Sequence, residues 1–242
     1  MLRIKYFIVV FLVGLLFAHC NRPSNTSNKK IFRYNETAGV NTLDPANARY
    51  LEDMRVINQI YDGLLYLDDS MKIQPCIADS YSISEDGLTY TFHLKNEVFF
   101  SPHESFLNES SRLISAEDFV YSFNRILDPK VASPGMWIFN QVQKENGFVA
   151  LNSRTLQINL TQPFPAFLGI LTMQYCNVVP EEVVNFYGNE FRSNPIGSGP
   201  FKLGFWLEGV SLVLHKSDSY CRTNEKGEKL PHLDAVRVDF IR

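Results

Sequence analysis

The stretch Asn194–Trp206, "NPIGSGPFKLGFW", places Pro195, Gly197, Gly199 and Pro200 directly ahead of a run of strand-forming residues. Such punctuation serves a phosphate loop, a tight turn or a close approach of two backbones. A phosphate loop would continue with Lys-Ser or Lys-Thr and open a helix, whereas Phe201–Trp206 alternates like a strand. The reading is therefore a structural turn at Gly197, Gly199 and Pro200, in which glycine supplies positive torsion and the chain is delivered into a strand.

Upstream, the pattern alternates between strand and helix periods. "KIFRYNE" (30–36) reads as a strand, and Asp44-Pro45 in "NTLDPANARY" (41–50) marks a loop. "EDMRVINQIYDGLLYLD" (52–68) sets Met54, Ile57, Ile60, Tyr61 and Leu64 on one helical stripe, with Gly63 expected at its end. Asp86-Gly87 signals a hairpin into a strand whose Leu88, Tyr90, Phe92 and Leu94 face inward. "SAEDFVYSFNRILD" (115–128) begins with Ser115 as N-cap and Asp118 three residues on, a short capping box, with Phe119, Phe123 and Ile126 as its apolar face. A strand interrupted at Pro163 and Pro165, a short apolar helix, the brief helix "PEEVVNFYG" (180–188) and the strand "GVSLVLHKS" (209–217) follow. "LDAVRVDFIR" alternates up to Arg242, so its pairing partner is expected in sequence beyond the 242 residues.

The amino terminus differs from the rest. Arg3 and Lys5 precede an uncharged apolar run from Tyr6 to Ala18, shorter than the about 20 residues a membrane span needs, which is the layout of an export signal. "LLFAHC" resembles a lipoprotein signal, which implies lipid on Cys20; His19 departs from that pattern, and simple secretion or an uncleaved anchor are the alternatives. "NRPSNTSNKK" (21–30) reads as a polar tether. With Cys20 lipidated, Cys76, Cys176 and Cys221 permit at most one disulfide, in a pairing the spacing leaves open. A net charge of -3 with scattered Lys and Arg argues against nucleic acid as a partner. No CxxC, HxxxH or HExxH spacing points to a metal, and no cofactor is expected.

In order along the chain, "TLDPA", "IYDGLLYLD", "IADSYSISEDGLTYTFHLK", "ISAEDFVYSFNRILDP", "PIGSGPFKL" and "LPHLDAVRV" resemble the extracytoplasmic solute-binding proteins of ABC importers for oligopeptides, dipeptides and related cargo, including nickel. The series covers nearly all of residues 30–242. Ser198 stands where the family usually has Thr, and "FFSPHESFLNESSRLISAEDF" (99–119) is longer than the family's Asp-Gly turn, so that hairpin is expected to be remodelled. The resemblance implies an α/β fold of the type II periplasmic-binding-protein kind, represented by a first lobe with a mixed sheet and an inserted α+β subdomain. Residues 1–20 would be the signal, 21–29 the tether, 30–50 and 186–242 the main part of the lobe, and 51–185 the insertion; the second lobe of the longer relatives is missing.

Capture of a peptide outside the cytoplasmic membrane and delivery to an ABC permease is the implied function, with membrane contact through lipid on Cys20 or the signal segment. In the family the segment after the "LDP" turn borders the peptide, which maps to Arg49, Tyr50 and Leu51. A second contact follows "Ala-Ser-Pro", where peptide-binding relatives often have an aromatic; here Gly135 is followed by Met136 and Trp137, which leaves the cargo open. A surface lipoprotein or gene remnant without transport is the alternative. A secreted hydrolase ranks lower, because Ser198 lies outside a Gly-x-Ser-x-Gly elbow and no helix follows it.

Overall fold

The computed structural model describes residues 29–107, 110–224 and 226–241. Cys20, the signal and all but the last residue of the tether lie outside the described residues. Two four-stranded sheets organise the remainder. The first has the order β1 (Ile31–Asn35), β12 (Ala235–Asp239), β11 (Ser211–Lys216) and β10 (Phe201–Leu207). The second has the order β4 (Ala78–Ile83), β5 (Thr89–Leu94), β9 (Thr155–Asn159) and β8 (Phe148–Asn152), all antiparallel.

β12 is an inner strand, parallel to β1 in the register Ile31↔Ala235 to Asn35↔Asp239 and antiparallel to β11. The expectation that its partner lies outside the chain is thereby overturned. Alternation shows that one face of a strand is buried, but it carries no information about which strand occupies its edge. Here that strand comes from the opposite end of the described chain, and Lys30 N–H donates to the Asp234 carboxylate at 2.7 Å to fix the pairing.

The Asp86-Gly87 turn joins β4 to β5, with Gly87 at φ 70°. From β5, Tyr90, Phe92 and Leu94 enter the core as the alternation requires. Over this sheet lies α2 (Ala116–Leu127). Its capping box is formed: the Asp118 carboxylate accepts from the Ser115 backbone N–H at 2.8 Å and from its hydroxyl at 3.1 Å. Phe123 meets Phe139 and Phe148 at ring-centroid distances of 5.0 and 5.2 Å, with Phe119 at 5.8 Å, so the helix is held by aromatic packing.

The helix α1 (Leu51–Ile60) ends three residues before the expected Gly63. Tyr61 turns extended and Asp62 and Gly63 run on into the short strand β2 (Leu65–Leu67), which pairs with β3 (Ile73–Pro75). The apolar stripe continued past the helix because Tyr61 and Leu64 are buried in loop conformation. The long segment after β5 forms a hairpin of two-residue strands, β6 (Phe99–Phe100) with β7 (Arg112–Leu113). Arg112 ties it down through Asp118 at 2.6 Å and through the faces of Phe100 and Phe106.

Gly197 and Gly199 both have negative φ, which corrects the expectation of positive torsion. What they need is space. A Cβ on Gly199 would lie 2.6 Å from the carbonyl carbon of Ile60, and one on Gly197 would overlap the Ile60 carbonyl oxygen. Gly199 N–H instead donates to that oxygen at 2.8 Å, satisfying the last turn of α1 as the chain passes into β10. Cys76, Cys176 and Cys221 are free thiols, the first two buried.

Candidate functional site: two segments joined at Tyr175

The "LDPAN" turn folds from local chemistry. Asp44 accepts from Ala46 N–H at 3.0 Å and from the Asn47 amide at 2.8 Å, and Pro45 occupies the first position of a 3-10 turn over Pro45–Asn47. Asp53, in the first turn of α1, accepts from Asn41 N–H at 2.7 Å and so fixes the approach to this turn. Arg125 of α2 then closes on Asp44 with two hydrogen bonds of 2.8 and 2.6 Å, in a pair whose side chains are 12 % and 3 % exposed. Two segments far apart in sequence become one support.

The second segment is brought against the first by two side chains, Ser133 and Tyr175. Ser133 donates its hydroxyl to the Ala46 carbonyl at 2.5 Å and accepts from Gly135 N–H at 3.1 Å. Tyr175 donates to the Ala48 carbonyl at 2.8 Å. Its ring lies so close to Gly135 that a Cβ there would stand 2.6 Å from two ring carbons. Gly135 is therefore required by Tyr175, which supplies the aromatic at this place from another part of the chain. Burial raises the Tyr175 hydroxyl above its ordinary pKa while the nearby Arg49 charge pulls it back down.

Beyond these ties the side chains turn outward: Tyr50 is 56 %, Leu51 57 %, Met136 37 % and Trp137 52 % exposed. Arg49 is exposed beside them and takes part in no ion pair among the described residues. The structure thus joins the segments carrying all six residues named from the sequence, Arg49, Tyr50, Leu51, Gly135, Met136 and Trp137. Gly197, Gly199 and Pro200 lie instead at the end of α1. Sequence reasoning missed Asp44, Ser133, Arg125 and Tyr175 as supports. The Asp-Pro dipeptide, the "SFNRILDP" motif and "Ala-Ser-Pro" contained three of them, but nothing in the sequence paired them, and Tyr175 carried no signal.

The joined segments thus present Tyr50, Leu51, Met136 and Trp137 as exposed apolar side chains, with Arg49 exposed on the same segment as Tyr50 and Leu51. Residues 72–242 match the model for bacterial extracellular solute-binding proteins, family 5 Middle, and the chain belongs to that family. It is 28 % identical over 216 residues to the "Probable deoxycholate-binding periplasmic protein YgiS" of Escherichia coli K12, covering 82 % of this chain and 39 % of that protein. To the "Glutathione-binding protein GsiB" of Escherichia coli it is 29 % identical over 195 residues, covering 81 % and 35 %. Among solved structures, a DppA from Helicobacter pylori in complex with peptide STSA is similar at a TM-score of 0.76 and 27 % identity, over 88 % of this chain and 43 % of that one. An oligopeptide-binding protein, OppAIV, from Borrelia burgdorferi is similar at 0.76 and 30 %, over 88 % and 43 %. The fold is that of a type II periplasmic binding protein, represented here by one lobe. The chain spans less than half the length of these relatives.

Proposed function

We propose that this chain forms the peptide-facing wall of the solute-binding component of an ABC importer. It holds an oligopeptide against Arg49, Tyr50, Leu51, Gly135, Met136 and Trp137 outside the cytoplasmic membrane and passes it to a permease. The observation that carries this reading is the joining of the 44–51 and 133–137 segments through Ser133 and Tyr175, which leaves four large apolar side chains exposed next to Arg49. Apolar side chains on a rigid support give contact area at low entropic cost, and nearby main chain gives affinity that does not depend on peptide side chains. Residues 30–50 and 186–242 would act as the main part of the lobe with 51–185 inserted, and lipid on Cys20 would hold it at the membrane.

Binding rather than turnover is supported by the relatives, whose names describe binding. The Ser105 hydroxyl does lie 2.8 Å from His103 Nδ1, but that nitrogen also meets Ser105 N–H at 3.1 Å. Nε2 faces the Tyr187 hydroxyl at 3.1 Å, and among the described residues no carboxylate hydrogen-bonds the ring, so the contact is a local turn. Calorimetric titration of the chain with mixed tripeptides, repeated on Trp137→Ala, tests the proposal. Heat lost or weakened about tenfold in the variant supports it, and equal heats in both would remove the ledge from the account.

A further inference from the structure

A cleft of about 350 Å³ opens between Asp62–Leu67, Asn177 and the Tyr220–Arg222 segment, and it shares no lining residue with the Arg49–Trp137 ledge. Its volume sits at the small end of ligand pockets. Two opposite charges line it without pairing: neither Asp62 nor Arg222 takes part in an ion pair among the described residues. Arg222 lies 4.1 Å over the centroid of the Tyr66 ring, with Nη1 3.9 Å from Cys76 Sγ and the Tyr220 hydroxyl beside it. Stacking on Tyr66 holds the guanidinium plane while its donors meet no carboxylate within ion-pair distance among the described residues.

A third group lacks a partner. The side chain of Asn177, a residue 8 % exposed on the cleft wall, has its Nδ2 buried with no hydrogen-bond acceptor. A buried donor without an acceptor and two opposite charges outside ion-pair distance are together relieved by the two ends of one small molecule. Asp62 needs a cation, Arg222 an anion, and Asn177 an acceptor.

We propose that this cleft binds the zwitterionic main chain of a free α-amino acid, with the carboxylate on Arg222 and Asn177 Nδ2 and the ammonium on Asp62. The side chain of the amino acid would lie towards Leu65, Leu67 and Tyr66, which also line the cleft. Charged hydrogen bonds of this kind contribute about tenfold or more each to affinity when one partner is removed.

The test titrates the purified chain with L-leucine, with leucinamide, which lacks the carboxylate, and with N-acetyl-leucine, which lacks the ammonium, following both heat and backbone NMR shifts. The expected result is saturable leucine binding with shifts at Asp62–Leu67, Asn177 and Tyr220–Arg222, and about tenfold weaker binding of both analogues. Asp62→Asn should bring leucine and N-acetyl-leucine to equal affinity, and Arg222→Gln should do so for leucine and leucinamide. No saturable binding up to about 10 mM, equal affinity for all three compounds in the unaltered chain, or shifts confined to the ledge would each overturn the proposal.

Discussion

Arg125 and Asp44, 81 residues apart, form a two-pronged ion pair that joins α2 to the turn carrying Arg49, Tyr50 and Leu51. Breaking such a pair from one side leaves the other charge buried and uncompensated, at a cost of about 3–5 kcal/mol. Arg125→Ala is expected to lose that much stability in urea denaturation and to speed amide exchange through residues 45–51. A loss below about 1 kcal/mol would show that Asp44 finds water or another donor, and that the turn stands without α2.

Gly199 faces the end of α1 with no room for a side chain, since its added Cβ would lie 2.6 Å from the Ile60 carbonyl carbon. Gly199→Ala must therefore push the crossover away from α1 and lose the 2.8 Å bond to Ile60, while Gly199→Val should fail to fold. Circular dichroism and yield of soluble chain report this. Normal melting of Gly199→Val would mean that α1 and the crossover are not packed as described.

Tyr175 separates support from contact. Tyr175→Phe keeps the ring against Gly135 but removes the 2.8 Å bond to Ala48, costing about 1 kcal/mol of stability. A greater fractional loss is expected in peptide affinity, because the 48–51 segment loses its tie to the ring that packs on Gly135 and is held only through Ser133 and Ala46. Equal peptide affinity in Tyr175→Phe, measured by calorimetry, would show that the two segments act independently.

Asp62 makes stability depend on pH. Burial in the cleft pushes its carboxyl from 3.8 up to about 6, against the downward pull of Arg222, the Cys76 thiol and Lys95. A raised carboxyl favours the folded state fully below its unfolded value and loses that contribution as pH rises through about 6. The thermal midpoint of the chain relative to Asp62→Asn is thus expected to fall between about pH 4 and pH 7. A constant difference across that range would contradict the burial of this carboxyl.

How far the sequence revealed the molecule depended on whether a signal was local. The capping box at Ser115 and Asp118, the Asp86-Gly87 hairpin and the inward set Tyr90, Phe92 and Leu94 each arise within a few residues and were legible. The partner of β12 was not, because an edge is filled by whichever strand arrives, and β1 arrives from the other end. The same holds at the site: Asp44-Pro45 announced a turn, but only folding shows that Arg125 clamps it and that Tyr175 stands over Gly135. Gly197 and Gly199 were expected to supply positive torsion but instead lie against the Ile60 carbonyl with no room for a Cβ, since a sequence does not distinguish a glycine needed for torsion from one needed for space.

The joined 44–51 and 133–137 segments are proposed to hold peptide. Backbone NMR shifts of the isotopically labelled chain titrated with trialanine test it most directly. Saturable shifts are expected at Arg49, Tyr50, Leu51, Gly135, Met136, Trp137 and Tyr175. Shifts that saturate elsewhere while these amides stay still would contradict it.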